Sequence, residues 1–177
     1  TCHPRFGLPV PMPRADVSSS IPAQSTRAQV LRECRLILWD EAPLASREAP
    51  ERVDRLLRDL MTTADVPFGG KVFIMGGDFR QVLPVMPHST REDIIAHSIK
   101  HTPLWKSGQV HIHSLRQNKR AQNDADWRQF LLEFGDGMLP THSSISPYAV
   151  RLPADICSPS GWEVGDLVNS VYPDLHH

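Results

Sequence analysis

Two short strings hold the side chains best suited to chemistry in this sequence. In Leu36-Ile37-Leu38-Trp39-Asp40-Glu41-Ala42-Pro43, four apolar residues run directly into a pair of carboxylates. A buried strand ending this way delivers both acids to one place. In a nucleoside triphosphatase the first acid can then hold Mg2+, usually through water, while the second orients or deprotonates the attacking water. Acids also follow strands simply because loops are polar. In Gly76-Gly77-Asp78-Phe79-Arg80-Gln81-Val82-Leu83-Pro84-Val85, two glycines permit a tight turn, and an acid, an arginine and a glutamine follow at once. A glutamine beyond a strand end can hydrogen-bond a phosphate or the attacking water and so report whether a γ-phosphate is present. The alternative is a polar turn with Arg80 and Gln81 solvated.

The elements that must position these strings follow from periodicity. Residues 36–39 are a continuous apolar run, and Lys71 to Met75 carries a second over Val72–Met75, which suggests strands covered on both faces, as in a parallel sheet. Ile37 and Ile74 are expected to lie buried side by side or nearly so. Between the runs, Val53, Leu56, Leu57, Leu60 and Met61 recur at helical spacing over residues 50–63, with arginines and acids outside and Pro50 in the first turn. Ser25 caps a short helix over residues 25–34 that turns Ala28, Leu31 and Val30 inward. Residues 90–99 read as a helix through Ile94, Ile95 and Ile99, residues 109–115 as a third strand, and residues 124–134 as an amphipathic helix. Residues 1–24 are punctuated by proline and read as loop. This rhythm of strand and helix is that of an α/β domain with a largely parallel sheet, in which ligands bind beyond the carboxyl ends of the strands. Both main strands end in acids, Asp40-Glu41 and Asp78, which should therefore meet at one sheet edge.

Composition sets the outer bounds. The chain has 177 residues, 40% hydrophobic and 22% charged, which is a globular balance of one domain, or one and a piece of a second. A formal net charge of −1 removes the simplest nucleic-acid signal, a strongly basic domain, though not a local basic groove. Cys2, Cys34 and Cys157 lie far apart without a C-x-x-C pair, which speaks against a disulfide framework or a cysteine-rich zinc site and for a reducing compartment. No apolar run approaches the length of a membrane span. The chain opens on Thr1 rather than methionine and is expected to be a piece of a longer protein.

The two strings, in this order, resemble the superfamily-one DNA helicases, above all the petite-integration-frequency helicases and the helicase regions of Helitron transposons. Further stretches fit that family in sequence order. Thr1-Cys2-His3-Pro4-Arg5-Phe6 is similar to its T-x-H-S-x-F segment, with Pro4 in place of serine. Asp54-Arg55-Leu56-Leu57-Arg58-Asp59 follows the acidic motif, and Pro67-Phe68-Gly69-Gly70-Lys71 introduces the next strand. Leu115-Arg116-Gln117-Asn118-Lys119-Arg120 resembles a segment ending in asparagine, methionine, arginine, with Lys119 in place of methionine. Phe134-Gly135-Asp136-Gly137 and Val171-Tyr172-Pro173-Asp174-Leu175 match later landmarks.

The resemblance implies a RecA-like P-loop NTPase fold, incomplete here. Residues 1–139 would form part of a first motor domain, and residues 140–177 a linker or the start of the next domain. It implies Mg2+ and ATP as cofactors and DNA, single-stranded or forked, as partner, with no membrane. Asp40 would hold the metal together with Glu41, and Glu41 would be the catalytic base. Gln81 would sense the γ-phosphate, with Asp78 fixing its loop. Arg120 would neutralise charge on the transferred phosphoryl group, and Thr1 and His3 would lie near the DNA path. By the same likeness, the parent protein would be an ATP hydrolase acting in DNA repair, recombination, telomere maintenance or transposition, with a nuclear address.

Other readings stay beside this one. A catalytically dead transposon-derived remnant or DNA-binding module would carry the same residues, and a metal-dependent nuclease could use Asp40, Glu41 and Asp78. His97 and His101, or His111 and His113, could each contribute to a metal site, but solvated or packing histidines account for both pairs. Trp39, Trp105, Trp127 and Trp162 could stack bases, although Trp39 and Trp127 fall where core packing is expected. The sequence contains no G-x-x-x-x-G-K-S/T, and Gly69-Gly70-Lys71 is no substitute, because a strand follows it instead of a helix whose N-terminus could cradle phosphates. In the family that loop precedes the T-x-H segment, and a second motor domain follows. Residues 1–177 by themselves should therefore show negligible ATP hydrolysis and no unwinding; a robust DNA-stimulated ATPase from the purified chain would contradict this.

Overall fold

The computed structural model describes residues 2–10, 19–81 and 84–173. The chain divides into two units, Thr1–Gln117 and Asn118–His177. Thr1, Val82, Leu83, Asp174 and Leu175, all named above, lie outside the described residues.

In the first unit, the Ser25 hydroxyl accepts from the Ala28 amide at 3.2 Å and opens α2 (Thr26–Glu33). Ala28 and Leu31 are buried, but Val30, expected to face inward, is exposed, because it lies off the stripe the other two share. Strand β1 (Leu36–Trp39) then leads through a short 3-10 turn, Ala42–Leu44, into α3 (Glu48–Met61), which returns the chain to β2 (Val72–Met75). The strands are parallel, pairing Leu36 with Val72, Ile37 with Phe73, Leu38 with Ile74 and Trp39 with Met75.

Helix α3 buries Val53, Leu56, Leu57 and Leu60 along one side. Arg52, expected among the outward arginines, is also buried. It sits one helical turn before Leu56 at the border of the stripe, where a long aliphatic stem can cover apolar surface. The turn Pro67–Gly70 docks on this helix. Asp54 binds both: its carboxylate accepts from Arg58 Nε at 2.8 Å and from the Phe68 amide. Gly69, at φ 63°, lies so close that a Cβ there would sit 2.5 Å from the Leu57 carbonyl oxygen. Lys71 Nζ donates to the Arg32 and Cys34 carbonyls and so closes the end of α2. These contacts give the Asp54–Asp59 and Pro67–Lys71 stretches a packing role.

An aromatic row forms the inner layer. Phe68 stacks on Phe73 at 3.9 Å between centroids, Phe73 meets Trp39 edge-on, and Trp39 stacks on Phe6 at 6.2 Å. Residues Cys2–Phe6, expected as loop, form the single-turn helix α1 because burial of Phe6 against Trp39 outweighs weak local preference. The expected double-sided cover of the strands is not observed. Side chains alternate, so Ile37 and Trp39 face the core while Leu36, Leu38, Val72 and Ile74 are 47%, 69%, 58% and 49% exposed on the opposite face. Ile37 accordingly neighbours Phe73, and Ile74 points away.

Beyond β2, the helix expected over residues 90–99 stops early, as α4 (Arg91–Ala96), and a 3-10 turn Ile99–His101 and α5 (Pro103–Lys106) follow. Ser98 and Thr102 take extended backbone angles and each caps a new turn. Ile99 is buried, whereas Ile95 is exposed. Residues 109–115 are not a strand: no described residue pairs with them, and Ile112 and Leu115 are exposed. A strand needs a hydrogen-bonding neighbour, which apolar alternation alone does not supply.

The second unit is built on α6 (Ala125–Gly135), whose cap Asp124 accepts from the Trp127 amide at 2.8 Å. Trp127 is half-buried and stacks on Phe130, which stacks on Phe134. An antiparallel bridge joins Thr141 to Val150, and α7 (Val164–Val171) follows. Among the described residues no helix is long and apolar enough to cross a membrane.

Leu57→Ala should cost about 2–5 kcal/mol of stability by opening a cavity between α3 and the Pro67–Gly70 turn. Leu38→Ala, on the open sheet face, should stay within about 0.5 kcal/mol. Urea unfolding of the two variants checks the contrast.

Candidate active site

The two chemical strings meet where β1 and β2 end. The parallel pairing continues one step past the strands: the Gly76 amide donates to the Trp39 carbonyl at 2.9 Å, and the Ala42 amide donates to the Gly76 carbonyl at 2.9 Å. Asp40, Glu41 and Asp78 thus share one sheet edge. Asp40 Oδ1 lies 3.6 Å from where a Cβ on Gly76 would be. Gly77, at φ 152°, passes against the buried Pro43, and a Cβ there would run into the proline ring. Pro43 and Gly77 are therefore the pair that lets the two loops close up.

Each loop is shaped by its own acid. Asp40 Oδ1 accepts from the Glu41 amide at 3.0 Å, and Glu41 takes left-handed angles (φ 52°, ψ 38°) at the start of the Ala42–Leu44 turn. A non-glycine residue in that region is uncommon and costs energy, a situation that concentrates at functional sites. Asp78 Oδ1 accepts from the Arg80 amide at 2.9 Å, with the Arg80 guanidinium 3.9 Å away, and the Asp78 carbonyl accepts from the Gln81 amide. Asp40, Glu41, Asp78 and Gln81 are all exposed. The edge thus presents carboxylate oxygens, the donors suited to Mg2+, and an accessible amide side chain suited to a phosphate oxygen, so the residues present fit a magnesium nucleotide.

The other site residues expected from sequence lie elsewhere. His3 is half-buried on α1, with its carbonyl accepting from the Leu8 amide and Nδ1 3.5 Å from Cys2 Sγ; α1 reaches this end of β1 through the Phe6–Trp39 stack. Arg120 belongs to the second unit, exposed on a turn held by Asn118, whose Oδ1 accepts from the amides of Arg120 and Ala121 at 3.0 and 3.1 Å. That role of Asn118 was readable as an asparagine two residues ahead of a turn position.

The histidine pairs divide. His97 ends α4, with Nε2 3.4 Å from Glu48 Oε1, while its carbonyl accepts from the Arg47 amide. It ties α4 to the start of α3. His101 is on the next turn, and His111 and His113 lie in the exposed stretch before residue 118. Among the described residues, no group of three His, Cys, Asp or Glu side chains is arranged to hold a metal ion directly.

A family model described as PIF1-like helicase matches residues 1–144. Among solved structures, the chain is similar to the Pif1 helicase from Bacteroides in complex with ADP-AlF3 and ssDNA, at 24% identity and TM-score 0.66, covering 79% of this chain and 33% of that one. Bacteroides Pif1 bound to ssDNA is 20% identical with TM-score 0.65, over 100% of this chain and 43% of that one. The Pif1 helicase from Candida albicans is 21% identical with TM-score 0.56, over 67% and 25%. The fold is thus the RecA-like α/β fold of these structures, and the chain spans less than half their length. No curated protein matches it.

Gly77→Ala should cost roughly 1–3 kcal/mol through its backbone angle and drive the 40–43 and 76–81 loops apart at Pro43. A denaturation midpoint lowered to match, with new cleavage by protease between residues 76 and 81, is the expected result.

Proposed function

Because the chain belongs to the PIF1-like helicase family, we propose that it is part of the first motor domain of an ATP-dependent DNA helicase. In this reading, residues 1–139 serve the motor and 140–177 lead onward from it. The observation that carries the reading is the backbone stitch at Gly76, which holds two carboxylates and a glutamine-bearing turn at one sheet edge. That two similar Bacteroides structures hold single-stranded DNA, one of them with ADP-AlF3, supports DNA and nucleotide as ligands.

Bound at this edge, Mg-ATP supplies an activated phosphoanhydride and the metal's charge. Asp40 would hold the metal, through water from its exposed carboxylate, with Glu41 beside it. Glu41 accepts the proton of the attacking water. Gln81 hydrogen-bonds the terminal phosphate or that water, and Asp78 sets its position by bracing the Arg80 amide. By family likeness alone, Arg120 is assigned the neutralisation of charge on the transferred phosphoryl group. By family likeness, Thr1 and His3 are assigned to the neighbourhood of the DNA path. Duties in repair, recombination and telomere maintenance, and a nuclear address, are proposed with it on family likeness alone.

A second reading, a catalytically dead remnant or DNA-binding module, is favoured if the coding sequence upstream of Thr1 lacks the G-x-x-x-x-G-K-S/T that these 177 residues do not contain. The coding sequence upstream of Thr1 separates the two readings.

In the full-length protein, Asp40→Ala should weaken Mg-nucleotide binding. Glu41→Gln should keep nucleotide affinity while turnover falls by about 10²–10⁴, the usual loss on removing a general base. Arg120→Ala should lower turnover by roughly 10³–10⁵, as for other charge-neutralising arginines. Steady-state ATPase rates and nucleotide titrations read all three; near-normal turnover in Glu41→Gln removes the assignment of the base.

A further inference from the structure

From Gly76 to Gln81, every residue is exposed except Phe79. This one side chain turns back toward the body of the unit while the polar groups on either side of it face solvent. Its ring meets Trp105 edge to face, 5.7 Å between centroids and 87° between planes. Lys100 Nζ lies over the same ring, 4.0 Å from its centroid. Phe79 is therefore gripped by an aromatic edge and by a cation, both directional contacts.

The two gripping residues are themselves held in place. Lys100 lies on the Ile99–His101 turn, capped by Ser98, whose Oγ accepts from the Lys100 amide at 3.4 Å. Trp105 lies on α5, capped by Thr102, whose Oγ1 accepts from the Trp105 amide at 3.2 Å and donates to the Ile99 carbonyl at 2.8 Å. Ser98 and Thr102 are buried, and between them Ile99 is 2% exposed in the core. The early end of the helix expected over residues 90–99 thus has a use. Two separately capped turns follow α4, each presenting one jaw.

We infer that Phe79, held by Lys100 and Trp105, is the positioning residue of the Asp78–Gln81 turn. The inference rests on the proposed function only for what the turn senses. Within the turn, the Asp78 carboxylate and carbonyl brace the Arg80 and Gln81 amides, which are internal contacts, and the Gly76 stitch lies two residues before it. With Phe79 released, Gln81 would keep its chemistry and lose its address. A phosphate sensor needs that address, since its signal is a hydrogen bond made or lost over a fraction of an ångström. Lys100 and Trp105 act through Phe79 and need not touch nucleotide.

Nuclear magnetic resonance on the 177-residue chain tests the clamp directly. The Lys100 ε-methylene protons should be shifted upfield by the Phe79 ring, and Phe79→Leu should abolish the shift. Backbone order parameters at Asp78–Gln81 should be near about 0.85 in the wild type and fall below about 0.6 in Phe79→Ala and Trp105→Leu. Trp105→Phe and Lys100→Arg should restore order, while α3 stays unchanged in all variants. An unshifted Lys100, or a turn equally ordered without Phe79, overturns the inference; so does loosening that extends equally through α3. In the full-length protein, Lys100→Met should lower kcat by about two- to fivefold with KM within about 1.5-fold, as expected from loss of one cation–π contact at an exposed lysine. A normal kcat alongside a loosened turn also overturns it. A full-length protein without any turnover would instead remove the proposed function and leave the resonance result standing.

Discussion

Two backbone hydrogen bonds at Gly76, one donated to Trp39 and one accepted from Ala42, carry the parallel pairing past the last strand residues and into the loops. Without them the strands would still pair, but their ends would diverge as loops do. With them, the chain after Trp39 must turn at Glu41, and the chain after Met75 must pass tightly by Pro43. The left-handed Glu41 and the glycine at position 77 are consequences of that closeness. The carboxylates share an edge because backbone amides hold them there, and no side-chain attraction between acids is needed or available.

The layer beneath is ordered by similarly local devices. Asp54 joins the middle of α3 to the turn before β2, and Lys71 joins the start of β2 to the end of α2. Each pairs a backbone amide or carbonyl at a helix end or in a turn. The aromatic row from Phe68 to Phe6 then fills the space between sheet and helices. This division of labour explains why residues of the family-like stretches fall into two groups. Some face solvent at the strand ends, where chemistry is possible, and others hold the frame.

What could be read from the sequence was whatever depends on near neighbours. The Ser25 cap, the buried stripe of α3, the two strands and the acids at their ends all follow from spacing within one or two turns. What could not be read depends on distant partners. Cys2–Phe6 folds only because Trp39 receives Phe6, and residues 109–115 stay unpaired because alternation names no neighbour. The faces of β1 and β2 differ in exposure although their residues are equally apolar, so hydrophobicity alone could not distinguish Ile37 from Ile74. At the candidate site, the side chains were visible as types, but the stitch at Gly76 and the grip on Phe79 arise from register and from the early end of a helix, neither of which a residue pattern encodes.

The open face of the sheet has a consequence for the chain in solution. Leu36, Leu38, Val72 and Ile74 form a flat apolar surface, and each of the two strands keeps one edge without a partner among the described residues. Such a surface is a template on which another molecule of the same chain can lay a strand. Charge does little to prevent this, because a pI near 6.7 leaves neighbouring molecules almost without mutual repulsion at neutral pH. These four side chains therefore add to the apolar surface that favours association at neutral pH, and moving the buffer away from the isoelectric point is the physical means of opposing it.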